Sequence, residues 1–244
     1  MLTVESVSLN LEPKPMESFS TLINSAPFEE CPAPRARRAR VLLLLGTISW
    51  LLVIVFGLWI LWGYENSPGK AGAPPRQWPA VSKIEPARDH PTLVILAHPH
   101  CPCTRATIGE LASIMAHSQG RLTAYVLFVK PAGFSDEWEA TDLWQSAASI
   151  PGVTVVIDEE GAEANRFHAA TSGQTVLYDA GGRLLFSGGI TASRGHYGDS
   201  AGQSAIVSFV NSGTAERTES SVFGCPLFDP NSECRVPRDE KHKP

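Results

Sequence analysis

From Val41 to Gly63 the chain carries no charged residue and is built almost throughout from Leu, Ile, Val and Trp. No other stretch restricts it so strictly. At 1.5 Å per residue such a run reaches about 34 Å as a helix, enough to cross a bilayer. Arg35, Arg37, Arg38 and Arg40 precede it, no basic residue follows immediately, and Trp59, Trp62 and Tyr64 close its far end. Basic residues favour the cytoplasmic side and aromatic rings the interface. The expectation is a single-pass membrane protein with a cytoplasmic N-terminus and a periplasmic or otherwise extracytoplasmic C-terminal portion. A cleaved signal peptide, with Ala71-Gly72-Ala73 as its cleavage site, is the competing reading. The run is too long and starts too far into the chain for a typical signal core.

The membrane span divides the remainder. Residues 1–40 mix glutamates, prolines and serines without a period and read as a disordered tail. Residues 64–91 carry Pro68, Pro74, Pro75, Pro79, Pro86 and Pro91 with few apolar side chains. They read as a linker with polyproline character, reaching about 80 Å if fully extended. The 244 residues suffice for one ordinary domain plus such appendages. A formal charge of -5 with no sustained basic face argues against nucleic acid as a partner.

Topology also sorts the five cysteines. Cys31 falls on the reducing side, whereas Cys101, Cys103, Cys225 and Cys234 fall in an oxidising compartment where pairing is expected. More than one connectivity is open. Proximity favours 101 with 103 and 225 with 234, the second pair as a terminal staple. Two other roles for Cys225 and Cys234 stay open: a redox pair exchanging with Cys101, or part of a metal site.

Beyond residue 91 the pattern alternates between strands and helices. Leu93–Ala97 reads as a buried strand, Thr104–His117 as a helix ending at Gly120, and Leu122–Val129 as a second strand. Asp136 with Glu139 resembles a capping box for a helix running to Ala148, with Trp138 and Trp144 on it. Val153–Ile157 follows as a strand, and Ala162, Ala164, Phe167 and Ala170 fit another helix, with His168 on its surface. Thr175–Tyr178 and Arg183–Phe186 flank Asp179-Ala180-Gly181-Gly182, a hairpin signal, and Ser200 with Gln203 opens a last helix. The fold class expected is α/β, with helices on both faces of a central sheet.

The chemistry concentrates in His98-Pro99-His100-Cys101-Pro102-Cys103-Thr104-Arg105, between the first strand and the first helix. Helix N-terminal amides are unpaired and partly positive, so a cysteine there is stabilised as thiolate. Pro102 favours the bend that two cysteines so close need for bridging. Cys101 is expected to be the more exposed, attacking thiol and Cys103 the resolving one. His98, His100 and Arg105 are supporting candidates that could stabilise a thiolate, or shuttle its proton in the case of the histidines. His98, His100, Cys101 and Cys103 are equally a donor set for Cu(I) or zinc, the metallochaperone-like alternative. An inert disulfide or two free thiols is the third reading, in a domain that only binds a partner without catalysis. Arg194 and His196 lie in a loop after the hairpin that could return toward the motif. Lys241 and Lys243 mark a frayed end.

The order βαβ, inserted αβ, α, β-hairpin, α, with a dithiol between first strand and first helix, resembles the thioredoxin-like superfamily over roughly residues 91–211. Cys101-Pro102-Cys103 stands where that family carries Cys-x-x-Cys, and Gly173-Gln174-Thr175 precedes the hairpin where the family has a cis-proline. The inserted unit is similar to that of membrane-anchored thiol–disulfide oxidoreductases of the TlpA and ResA kind. Residues 136–234 are also similar to bacterial proteins labelled RedB-like. The resemblance implies a thioredoxin-like domain over 92–213, an extension over 214–244, and disulfide exchange through Cys101 and Cys103 without a cofactor. It implies extracytoplasmic protein thiols or disulfides as partners, and a membrane-embedded redox partner. If Pro102 and Cys103 take the last two family positions, His100 stands at the usual nucleophile's place. The missing proline, which in the family keeps metal from the thiols, favours the copper reading.

Overall fold

The computed structural model describes residues 34–228 apart from 135, 136 and 139. The chain divides into two compact units, one ending at Phe56 and one beginning at Gly57. Helix α1, Pro34–Glu65, carries the apolar run. It is long and apolar enough to cross a membrane. Its large side chains face outward, with Leu43 71% and Trp62 70% exposed. A helix apolar all round and left uncovered is what a lipid environment calls for.

The second unit is built on β1 (Thr92–Ala97), α2 (Pro102–Ser118), β2 (Thr123–Lys130), α3 (Asp142–Ala148), β3 (Val153–Glu159), α4 (Ala162–Arg166), β4 (Gln174–Tyr178), β5 (Leu184–Gly188) and α5 (Ala201–Ser212). The strands form one sheet in the order β3-β2-β1-β4-β5. β1 runs parallel to β2 and antiparallel to β4, and β2 runs parallel to β3. Every residue of β1 is buried, as the central position demands. Its alternate side chains divide between two cores. Leu93, Ile95 and Ala97 join α2, α3 and α5 on one face, and Val94 and Leu96 join Ala164, Phe167 and Tyr178 on the other. This is the expected α/β, thioredoxin-like fold with α3–β3 as the inserted unit extending the sheet past β2.

Local signals explain several boundaries. α2 begins with Pro102 in its first turn, where a missing N–H costs nothing, and ends at Gln119 in the left-handed conformation. Asp179 Oδ1 accepts from the Gly181 and Arg183 N–H groups at 2.9 and 2.8 Å, shaping the hairpin. Ser200 caps α5 by accepting from Gln203 N at 3.1 Å. The box is only half made, because the Gln203 side chain donates to Ser113 Oγ instead.

Four expectations are corrected. The helix anticipated from Asp136 begins at Asp142, capped by Thr141, which accepts from Trp144 N at 3.3 Å. Trp138 therefore precedes the helix that carries Trp144, and the Asp136–Glu139 pattern falls on residues outside those described. The helix fitted to Ala162–Ala170 stops at Arg166, and His168 adopts a positive φ of 50°.

The proline-rich segment is no free linker. Trp78 packs edge-on against Phe167 and Tyr178, both at 5.2 Å. Tyr178 OH donates to Pro75 O at 2.8 Å, and Gln77 bridges to Arg183. Glu163 accepts from Ser82 Oγ at 2.6 Å and from Lys83 N at 2.9 Å. Prolines fix extended backbone, and the few apolar residues between them, Trp78 and Ile84, suffice to seal the second core.

Finally, the boundary at residue 213 is not structural. Ser187 N donates to Thr218 O at 2.9 Å, Ser220 N donates to Ser187 O at 3.3 Å, and Val222 and Leu227 are buried. As far as residue 228, the chain after α5 returns along β5 and packs with the domain.

Candidate thiol site

β1 delivers the chain to the site and α2 carries it away. Cys101 is the N-cap of α2, with extended backbone and no side-chain cap. Its N–H donates to His98 O at 3.1 Å and its carbonyl accepts from Thr104 N at 3.0 Å, which folds 98–104 into consecutive tight turns. Cys103 lies in the first turn. Thr104 Oγ1 donates to His98 O at 3.2 Å and meets Ser172 Oγ at 3.1 Å. Ser172 Oγ in turn accepts from His98 N at 2.9 Å. These buried hydroxyls fasten the end of β1 to the loop ahead of β4. Neither residue stands out in the sequence.

That loop is closed by Gly173, whose N–H donates to Leu96 O at 2.8 Å with φ at 89°. Against its outer edge lies a segment from far along the chain. Ser172 N donates to Cys225 O at 2.8 Å, Leu227 N donates to Ala170 O at 3.0 Å, and Thr171 and Pro226 form an antiparallel bridge. This brings Cys225 Sγ to 3.2 Å from Cys101 Sγ. Three thiols therefore share one site. Cys234, the partner expected for Cys225, lies outside the described residues.

The electrostatics single out Cys101. Hydrogen bonds from the Cys103 thiol first, then the Cys225 thiol, hold it far below the ordinary thiol range. Burial opposes this, and the backbone N–H groups of Cys225 and Cys103 add to it. Cys103 moves the other way. Its proton is shared with the Cys101 sulfur, and burial and the neighbouring negative charge push its thiol up, with Arg194 pulling weakly down. One thiolate, on Cys101, is the stable arrangement.

The expected exposure is reversed. Cys101 is fully buried and Cys103 is 9% exposed. The helix end that should have presented Cys101 to solvent is covered, with Cys225 standing against its sulfur.

Other candidates are redistributed. Burial, as the largest influence, lowers the pKa of His98, with the Cys101 charge opposing and His100 assisting. This favours the neutral imidazole of His98 over the charged form that would stabilise a thiolate. Its Nδ1 accepts from His100 N at 3.2 Å. His100 Nε2 donates to Trp138 O at 3.0 Å, and its ring lies 4.2 Å from the Trp138 ring. Trp138 is thus part of the site's wall, held by its Nε1 donating to Val129 O at 3.3 Å. Arg105 points away and pairs with Asp142 at the surface. The cation at the thiols is Arg194, whose Nη1 donates to Gly224 O at 2.7 Å and whose Nε donates to Ser67 O at 3.2 Å. His196 is turned into its own loop, with Nδ1 at 3.1 Å from Arg194 O. Among the described residues, no group of three or more His, Cys, Asp or Glu side chains is arranged to hold a metal ion.

The sheet order and the helices packed on its two faces are those of a thioredoxin-like fold. The structure is similar to that of an uncharacterized conserved protein from Geobacillus kaustophilus, with a TM-score of 0.50 and 15% identity over 68% of this chain and 94% of that one. It is equally similar to a hypothetical protein from Sinorhizobium meliloti, with a TM-score of 0.50 and 17% identity over 67% of this chain and 97% of that one. A secreted disulfide oxidoreductase of Mycobacterium tuberculosis matches with a TM-score of 0.33 and 18% identity, over 40% of this chain and 67% of that one. No protein-family model and no curated protein sequence matches the chain.

Proposed function

We propose that the chain is a membrane-anchored, extracytoplasmic thiol–disulfide oxidoreductase in which Cys101 is the attacking thiol. One observation carries this reading: Cys101 caps α2 directly after the central strand and is held as a thiolate by a second thiol two residues on. Only the thiolate attacks a disulfide, and backbone N–H groups with a neighbouring donor are what stabilise one in a buried place. Exchange then proceeds by attack of Cys101 on a partner's disulfide, giving a mixed disulfide that a second protein thiol resolves. Protein thiols and disulfides outside the cytoplasm are the substrates, and the arginines that open α1, ahead of its apolar run, support the orientation.

The test is reduction of insulin disulfides by dithiothreitol with full-length protein in detergent. The wild-type protein accelerates it and Cys101→Ala does not. Equal rates for the two proteins would overturn the proposal. Retention of stoichiometric Cu(I) against a thiol competitor, with no exchange activity, would replace it by the copper-handling reading.

A further inference from the structure

The chain beyond α5 has a role at this site that the dithiol alone does not predict. From Thr218 to Ser220 it follows β5, and Gly69 N fastens it by donating to Val222 O at 2.8 Å. It then crosses the loop ahead of β4 as an added antiparallel strand, through the bonds of Ser172 with Cys225 and of Leu227 with Ala170. Added strands of this kind are how extended peptides bind a sheet edge, with main-chain bonds giving affinity and side chains giving register. Here the register sets a sulfur 3.2 Å from the Cys101 sulfur.

Three features fit this approach. Gly224 passes so near the loop that a Cβ on it would stand 1.9 Å from Ser172 O, so no larger residue fits. Arg194 clasps the Gly224 carbonyl. Leu227 anchors the far side, 5% exposed in the second core. While the strand is docked, Cys101 has no exposed surface, so a disulfide from outside reaches it only after the strand lifts.

We propose that segment 223–227 is a built-in peptide partner of the site, and that its Cys225 is the resolving thiol, closing a Cys101–Cys225 disulfide. The proposal rests on the exchange function above and names the partner of that same site. With the strand lifted, the Cys101 thiolate attacks a disulfide RS–SR′. The Cys101–SR bond forms, and R′S⁻ leaves and takes a proton from solvent. The strand then returns. Cys225 loses its proton to solvent and attacks Cys101 Sγ, forming Cys101–Cys225 and expelling RS⁻, which is protonated in turn. The partner disulfide gains two electrons, which Cys101 and Cys225 lose. Of the two protons it takes up, one is matched by the proton Cys225 releases and the other comes from solvent, because Cys101 starts as the thiolate. An external dithiol runs the same exchanges backward. Cys103 remains a thiol throughout, donating its hydrogen bond to whichever form of the Cys101 sulfur is present.

The experiment treats full-length reduced protein in detergent with glutathione disulfide, followed by acid quench, alkylation of remaining thiols and mass mapping. The expected wild-type product is a Cys101–Cys225 link with two glutathione thiols released. Cys103→Ala should give the same product, whereas Cys103→Ala with Cys225→Ala should stop at glutathionylated Cys101 with one thiol released. Gly224→Val, which keeps all three thiols but cannot seat the strand, should raise Cys101 alkylation in reduced protein by about tenfold or more. Accumulation of the Cys101 adduct in Cys103→Ala alone would overturn the proposal. So would a wild-type map showing only Cys101–Cys103 or only Cys225–Cys234, or a Gly224→Val rate equal to wild type. If no variant ever forms an adduct on Cys101, the exchange function itself falls, a failure distinct from the others.

Discussion

At the residue scale the site depends on a division of protons among sulfurs. Cys101 lies far below the ordinary thiol range chiefly because Cys103 donates to it, and Cys103 lies above that range for the same reason. The sign is fixed: a lowered pKa keeps the thiolate as pH falls, and the raised partner stays protonated as pH rises. Iodoacetamide labelling of Cys101, mapped by mass, should therefore show no inflection near the free-thiol value of about 8.5 and should persist well below it. In Cys103→Ala, which removes the largest of these contributions, the inflection should move up toward the ordinary range. A profile unchanged by that substitution would mean that the helix end and Cys225 suffice. Arg105 was legible as a cation near the motif, yet the first turn of a helix also faces its neighbours, and Asp142 claims it. Arg194 reaches the thiols from the loop after the hairpin, which the sequence offered only as one that could return toward the motif, without saying which of Arg194 and His196 would arrive. The Cys101–Cys225 contact spans 124 residues and was open in the sequence only as one of several pairings.

At the element scale, the helices and strands followed their signals where the signal was local. The hairpin turn, the Ser200 cap and the alternation in β1 all lie where side-chain chemistry alone sets them. The inserted helix did not follow, because Thr141 offers a better-placed cap than a pattern that merely satisfies the spacing. Composition also misled for residues 64–91, where proline content suggested a spacer although Ile84 is a core residue and Trp78 packs against the same core. Glu163 is the pin of that segment, 3% exposed and bonded to Ser82, Lys83 and Arg166. Glu163→Ala should cost about 2–3 kcal/mol in denaturant unfolding of the reduced protein, since it removes the charged acceptor of two part-buried hydrogen bonds, from the Ser82 hydroxyl and the Lys83 N–H. Phe167→Ala, which removes a fully buried ring from the Trp78–Tyr178 cluster, should cost about 3–5 kcal/mol. Losses below about 0.5 kcal/mol in both would show the segment to be a loose strap rather than part of the core.

At the scale of the whole molecule, the proposed function assigns location to the one apolar helix and chemistry to the α/β domain. The positive charge in the first turns of α1, ahead of its apolar run, predicts that alkaline phosphatase fused to the C-terminus is active and that a cytoplasm-dependent reporter at the same place is dark. The opposite pattern would put all the thiols in a reducing compartment and remove the basis for exchange. The central claim is that Cys101 exchanges electrons with disulfides, and equilibrium tests it most directly. Full-length protein is brought to equilibrium in anaerobic glutathione buffers of graded potential, and the thiols are counted by mass after acid quench. The account predicts a two-electron transition between about -270 and -120 mV, where exchange-active protein dithiols lie, and its loss in Cys101→Ala. Thiols that stay reduced across that range, or a transition that survives unchanged in Cys101→Ala, would contradict it.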